Sequence, residues 1–237
     1  GDQTYQHSTL ILGFLQTLLS IGELTRSMPT IVQMDDHDYG QGNLFGAGEG
    51  DERSGGGFEK LPCFVGILED FMMGHNPDPA RNKMLHNGVK PKFTEYEYGR
   101  ISFAITESRK FKHNSSNNDK NSLLGNDQEI WLKEWCANRK NKLNVVLSVT
   151  PFAGLATHTK ANGKTKFKAT KPEHNDANGF PVQGRKRAME ILQECSPLII
   201  SGDQHLGIVV SYDNYNITEC ASPAVHNSMF WRINTNQ

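Results

Sequence analysis

Acidic, imidazole and phenolic side chains gather at three points of this chain: "GDQTY" (Gly1–Tyr5), "DDHD" (Asp35–Asp38) and "GDQH" (Gly202–His205). Asp35, Asp36 and Asp38 pose the sharpest electrostatic question. Two carboxylates about 4 Å apart repel by roughly 4 kcal/mol at an effective dielectric near 20. A folded site that holds them needs water, a shared proton or a cation. Together, Asp2, Tyr5, Asp35, Asp36, His37, Asp203 and His205 mix hard oxygen ligands with a phenolate and imidazoles. Carboxylates suit hard divalent ions, whereas imidazole and phenolate suit iron or zinc, so the set suits a mixed pair of metals. Each piece alone is weak. Asp-Asp after a strand is more often a turn or a helix cap, and a single histidine is more often a satisfied core residue. Their coincidence carries the inference.

Such a coincidence requires elements that end together. Three apolar runs stop at polar clusters: Ile31–Met34 at "DDHD", Leu143–Val149 at "TPF", and Pro197–Ser201 at "GDQH". In layered α/β sheets ligands sit outside the carboxyl ends of the strands, where several loops converge. Tyr98–Ile105 alternates as a further strand, and Gly207–Tyr212 and Asn216–Ser222 are β-like. Helices are expected at Leu10–Leu24, at Glu59–Met73, from an N-cap at Asn126 or Asp127 with Ile130, Trp131 and Trp135 on one stripe, and at Gly184–Cys195. "NPDPA" at Asn76–Ala80 stops the second of these. His113–Ser122 is a polar excursion, and the stretch from Val149 to about Val182 reads as a long loop with few hydrophobic anchors. The alternation predicts an α/β layered sheet in a single domain over 1–237, with insertions and no linker.

Composition narrows the class. The 237 residues are 36% hydrophobic and 22% charged, ordinary for a soluble globular chain. A formal net charge of -1 argues against a nucleic-acid or anionic-membrane surface. The apolar run Leu10–Gly22 is broken by Gln16, Thr17 and Ser20 and falls short of a membrane span, so it reads as a buried helix. Cys63, Cys136, Cys195 and Cys220 are widely spaced and suggest neither a zinc knuckle nor a disulfide scaffold.

The segments "GDQTY", "DDHDYGQGNLFGAG", "FAITESRKFK", "LLGNDQEIWLKEW", "SVTPFA", "DANGFPVQGRKRAMEIL" and "SGDQHLGIVVSY" occur in the order found in the alkaline phosphatase D-like branch of the metallophosphoesterases. The resemblance runs from Gly1 to about Pro223. It implies a layered α/β/β/α sandwich of mixed sheets with a binuclear metal centre at the strand ends, expected to hold iron plus calcium, with zinc or manganese as alternatives. It implies Asp2 as the bridging carboxylate, Tyr5 as a phenolate ligand as in purple acid phosphatases, and Asp36 in the place of an asparagine ligand. His37 is then the non-ligand histidine that acts in catalysis, and "GDQH" resembles a GHxH motif, with Asp203 and His205 as ligands. The implied activity is hydrolysis of phosphate esters. Rivals are a phosphodiesterase acting on phospholipid or teichoic-acid-like polymers, and an inactive binding domain.

Two family positions have no counterpart. The first ligand lies on an opening strand that the sequence is expected to lack at its amino end. The histidine that relatives place after the middle strand is absent from "SVTPF", where Thr150 and His158 are poor substitutes. Glu107 and Arg109 follow a strand, and Arg109 reads either as one half of a buried salt bridge or as a guanidinium clamp for phosphate oxygens. Asp176 and Asn178 could line a substrate mouth or make a turn. The glycine-rich Gly40–Gly57 lacks a GK[ST] ending and reads as a rim, not a nucleotide loop. By resemblance alone, a periplasmic or secreted location is expected.

Overall fold

The structure is a computed structural model that describes residues 3–5, 8–42, 44, 46, 60–85, 88–113, 122–139, 142–152, 178, 181–204 and 207–223, with the backbone of 155–159 and 165–169. Its frame is a six-stranded mixed sheet in the order β1-β2-β3-β6-β8-β7. The strands are β1 Thr94–Tyr98, β2 Ile101–Ile105, β3 Leu143–Ser148, β6 Leu198–Ser201, β7 Ile208–Tyr212 and β8 Ile217–Ala221. The four inner strands run parallel, and antiparallel β1 and β7 form the edges. The carboxyl ends of β2, β3 and β6 therefore open on one edge, where the polar clusters begin.

Alternation along the strands decides what the sheet packs against. Ala104, Val146 and Ile199 lie in one buried cluster with Trp131, Leu132 and Trp135 of α3 (Asn126–Asn138) and Ala188, Met189 and Leu192 of α4 (Val182–Gln193). Trp135 Nε1 donates to Ser102 Oγ of β2 at 3.0 Å, satisfying a polar atom that this packing buries. A disulfide between Cys136 and Cys195 joins α3 to the chain leaving α4, a link that cysteine spacing did not suggest. A second cluster lies beneath "DDHD". It joins Leu10 and Phe14 of α1 (Leu10–Ser27), Val65, Leu68 and Met72 of α2 (Pro62–Met73), and Met34, Tyr39 and Leu44.

Several sequence expectations need correction. Tyr98–Ile105 is not one strand: Gly99, at φ 58, turns the chain between β1 and β2. The loop expected before Val182 contains an antiparallel pair, β4 Leu155–Thr159 and β5 Thr165–Ala169. Helix α2 opens at Pro62, where a missing N–H costs nothing. Helix α3 is capped by Gly125 at φ 77 rather than by Asn126 or Asp127. Helix α1 forms but is not buried. Leu10, Gly13 and Phe14 are its buried residues, while Leu19 is 85% exposed and Leu24 55%. Its apolar residues surround the whole cylinder, and the second cluster contacts one stripe. No helix among the described residues is long and apolar enough to cross a membrane.

Ile31–Met34, expected as a strand, joins no sheet. Side-chain hydrogen bonds hold it in place instead. Asn76 Nδ2 donates to Val32 O at 2.6 Å, and Val32 N–H donates to Asn76 Oδ1 at 3.1 Å. Gln33 Nε2 donates to Thr106 O at 2.9 Å and Leu147 O at 3.3 Å, tying the segment to the ends of β2 and β3.

Candidate metal centre

The segment so anchored turns sharply at its polar end. Asp36 has helical backbone angles, His37–Tyr39 form one 3-10 turn, and Gly40 closes it at φ 85. Arg109 arrives from the turn after β2, where the N–H groups of Phe111 and Lys112 both donate to Ser108 O at 3.0 Å. Asp203 follows β6, and its φ of 68 places a non-glycine residue in the left-handed region. Aspartate tolerates that region better than most residues, and such conformations concentrate at functional sites. Gly202 N–H donates to Val149 O at 3.3 Å, holding this loop against the end of β3.

These three loops bring Asp35, Asp36 and Asp203 together, with one carboxylate oxygen from each lying within 4.8 Å of the others. Arg109 enters the same cluster. Its Nε donates to Asp35 Oδ1 at 2.6 Å, and its Nη2 lies 3.4 Å from Asp36 Oδ1 and 3.7 Å from Asp203 Oδ2. Burial pushes the Asp35 carboxyl up, but the Arg109 guanidinium, the chain's amino-terminal charge and the Asp36 N–H together bring the group below the ordinary carboxylate range. Among the described residues, one guanidinium stands beside three carboxylates, a negative excess within the buried cluster. Asp35 Oδ2 is buried and, among the described residues, accepts no hydrogen bond. Clustered hard oxygen donors, excess negative charge and an unsatisfied carboxylate oxygen fit a divalent cation.

Asp38 is not part of that group. Its Oδ1 accepts the N–H of Gln3 at 2.7 Å and of Thr4 at 2.9 Å, and its Oδ2 accepts the N–H of Asp35 at 2.9 Å. Burial pushes this carboxyl up to about 7, against the pull of the three N–H donors, with the Asp35 charge adding to the rise. The Tyr5 and His37 rings meet with centroids 4.2 Å apart.

Behind the site lies a second buried ionic group. Lys110 Nζ contacts Glu69 Oε1 at 2.5 Å and Glu107 Oε1 at 2.6 Å, and donates to Lys90 O at 2.7 Å. Tyr39 OH donates to Glu69 Oε1 at 2.9 Å. Burial lowers the affinity of Lys110 for its proton, but the two glutamates more than reverse this and raise it. Burial, reinforced by Glu69, raises the Tyr39 phenol well above its ordinary range. This group ties α2 and the 3-10 turn to the residue adjoining Arg109.

Of the residues proposed from sequence, Asp36, Asp203, His37, Tyr5 and Arg109 lie in this region, while Asp2 and His205 lie outside the described residues. Arg109 makes the buried ion pair with Asp35. Asn178 does not line a mouth. It is buried, and its Nδ2 donates to Ser148 Oγ at 3.0 Å and Thr150 O at 3.1 Å, bracing the end of β3. Thr150 is fully buried. Asp176 and the side chain of His158 lie outside the described residues, as does most of the glycine-rich rim.

Sequence reasoning missed the supporting carboxylates. Glu69 shares the buried face of α2 with Val65, Leu68 and Met72, and a glutamate at a core position of an apolar helix was the available signal. Glu219 is fully buried in β8. Its Oε1 accepts Phe152 N–H at 3.0 Å and Ser201 Oγ–H at 2.8 Å, fastening the ends of β3 and β6 together.

A family model described as PhoD-like phosphatase matches residues 19–236. Among solved structures, one titled "Structure of PhoD" resembles the chain with a TM-score of 0.55 and 19% sequence identity, over 82% of this chain and 39% of that one. The chain thus spans well under half of that relative. No curated protein matches it.

Proposed function

Because the chain belongs to the PhoD-like phosphatase family, we propose that it hydrolyses phosphate esters at the strand-end site, using divalent metals held by Asp36 and Asp203 with Asp2, Tyr5 and His205. The single observation that carries this reading is the buried Asp35–Asp36–Asp203 cluster, whose charge, among the described residues, Arg109 only partly balances. Asp35 joins the proposed ligand region through its unsatisfied Oδ2. Iron plus calcium is the proposed pair, with zinc or manganese as alternatives. When bound, such ions lower the pKa of a water towards 7 and offset the charge that builds on the phosphoryl oxygens.

The side chains supply the rest. His37 is proposed to donate a ring proton to the phosphoryl or leaving-group oxygen, a contribution typically of about 10² to 10⁴ in rate. Tyr5 packs against that ring and limits its rotation. Arg109 holds Asp35 and Asp36 in register and is proposed to present its remaining donors to a phosphate oxygen. The Cys136–Cys195 disulfide is chemistry of an oxidising compartment and supports a periplasmic or secreted location.

The deciding experiment measures bound metal by atomic emission together with hydrolysis of p-nitrophenyl phosphate and bis(p-nitrophenyl) phosphate, before and after chelation. Metal-dependent turnover of either ester is the expected result, and the ratio of the two rates separates monoesterase from diesterase. A chain that takes up no metal and cleaves neither ester is a binding domain, and the proposal is then wrong.

A further inference from the structure

We infer that Asp38 is a positioning residue: a buried carboxylate that clamps the amino-terminal segment carrying Tyr5 onto the backbone of Asp35. Its importance for metal binding rests on the hydrolase reading above, whereas the clamp itself rests on geometry alone. Asp38 is fully buried and Thr4 is 6% exposed. One oxygen, Oδ1, takes two successive amides, those of Gln3 and Thr4, from 35 and 34 residues away in sequence. The other, Oδ2, takes the amide of Asp35. One planar group thus fixes the distance between two strands of chain that each carry proposed ligands.

Two plainer roles account for less of this geometry. A residue serving only its own 3-10 turn needs the local bond to Asp35; the two bonds to Gln3 and Thr4 contribute nothing to that turn. A metal ligand needs a lone pair directed at the ion, but three of about four acceptor positions on this carboxylate already receive N–H groups. Its oxygens do not belong to the Asp35–Asp36–Asp203 group. A further bond, from Thr17 Oγ1 to Gln3 O at 2.9 Å, anchors the same segment to α1. With Gln3 and Thr4 held on both sides, the next residue, Tyr5, is delivered to the ring of His37. Asp2, the proposed bridging ligand, immediately precedes the clamped pair in sequence.

The test follows amide hydrogen exchange at Gln3 and Thr4 by NMR at pH 8.5, above the value of about 7 to which burial raises Asp38 so that the carboxylate is charged, in the full chain and in Asp38→Ala and Asp38→Asn, with Val146 and Ile199 as core controls. Hydrogen bonds to charged acceptors are strong enough that D38A should accelerate exchange at both amides by at least about tenfold. D38N, which exchanges a charged acceptor for a neutral one, should accelerate it by about threefold or more. Core exchange should stay unchanged in D38N, which decides the matter if D38A fails to fold. Unaltered exchange at Gln3 and Thr4 in a folded variant overturns the clamp. Metal titration of the same proteins provides the second readout, with apparent Kd rising at least about tenfold in D38A. If D38A exchanges faster but binds metal as the wild type does, the clamp stands and its role in the metal site falls. A wild type that binds no metal refutes the hydrolase reading while leaving the exchange result to judge the clamp.

Discussion

Arg109 Nε lies 2.6 Å from Asp35 Oδ1, and neither side chain is more than 2% exposed. An ion pair withdrawn from water in this way is costly to break, because removing one partner strands the other in a medium that solvates charge poorly. Here the stranded partner would be a carboxylate with two more beside it.

Arg109→Met is therefore expected to lower the unfolding free energy by about 3–5 kcal/mol in chelator. Denaturant titration measures it, and added divalent cation should restore part of the loss by binding the same carboxylates. A change below about 1 kcal/mol would mean that the cluster is already compensated by other groups.

Asp36→Ala and His37→Ala should separate holding metal from transferring protons. D36A is expected to lose bound metal and nearly all turnover while keeping its circular dichroism spectrum. H37A is expected to keep its metal and lose about 10² or more in rate. Equal metal loss in both variants would make His37 a ligand.

Tyr39 and Lys110 should make the protein sensitive to alkali. Both bind their protons more tightly in the folded state than at their ordinary values of 10.0 and 10.5. Their stabilising effect is complete below those values and declines as pH rises beyond them, since the unfolded chain then releases protons that the folded chain retains. Each such group steepens the fall by up to about 1.4 kcal/mol per pH unit. Thermal melts of wild type and Tyr39→Phe from pH 8 to 11.5 test this, and Y39F should show the shallower decline. Parallel curves would place the alkaline sensitivity elsewhere.

Gly125→Ala addresses the packing that seats α3. A Cβ at Gly125 would lie 2.4 Å from Phe111 Cδ1, and the backbone there sits at φ 77. Clash and left-handed strain together predict a loss of about 2 kcal/mol or more in unfolding free energy. A melting temperature equal to the wild type would show that Phe111 moves aside freely.

The sequence was informative wherever local pattern suffices. Helical periodicity located the four α-helices among the described residues to within a few residues of their ends, and the apolar runs at Leu143–Val149 and Pro197–Ser201 named the central strands. It failed where a local pattern has two outcomes. The alternation through Tyr98–Ile105 continues across a turn because Gly99 accepts a positive φ without interrupting it. Ile31–Met34 has strand composition, but the Asn76 side chain bonds the Val32 backbone and the Gln33 side chain reaches the carbonyls of Thr106 and Leu147, and no local rule announces those contacts. The apolar length of α1 said nothing about how much of it would find a partner.

For the candidate site the same boundary holds. The residue types in "DDHD" and "GDQH", and hence the hard-donor chemistry, were determined by the sequence itself, because composition fixes which atoms can carry charge or bind a cation. Tertiary structure alone decided which charges meet: Arg109 beside Asp35 across 74 residues, Asp203 beside Asp36, and Asp38 turned back to the amides of Gln3 and Thr4. Electrostatic energy depends on separation in space and on burial, and neither is a property of neighbouring positions along a chain.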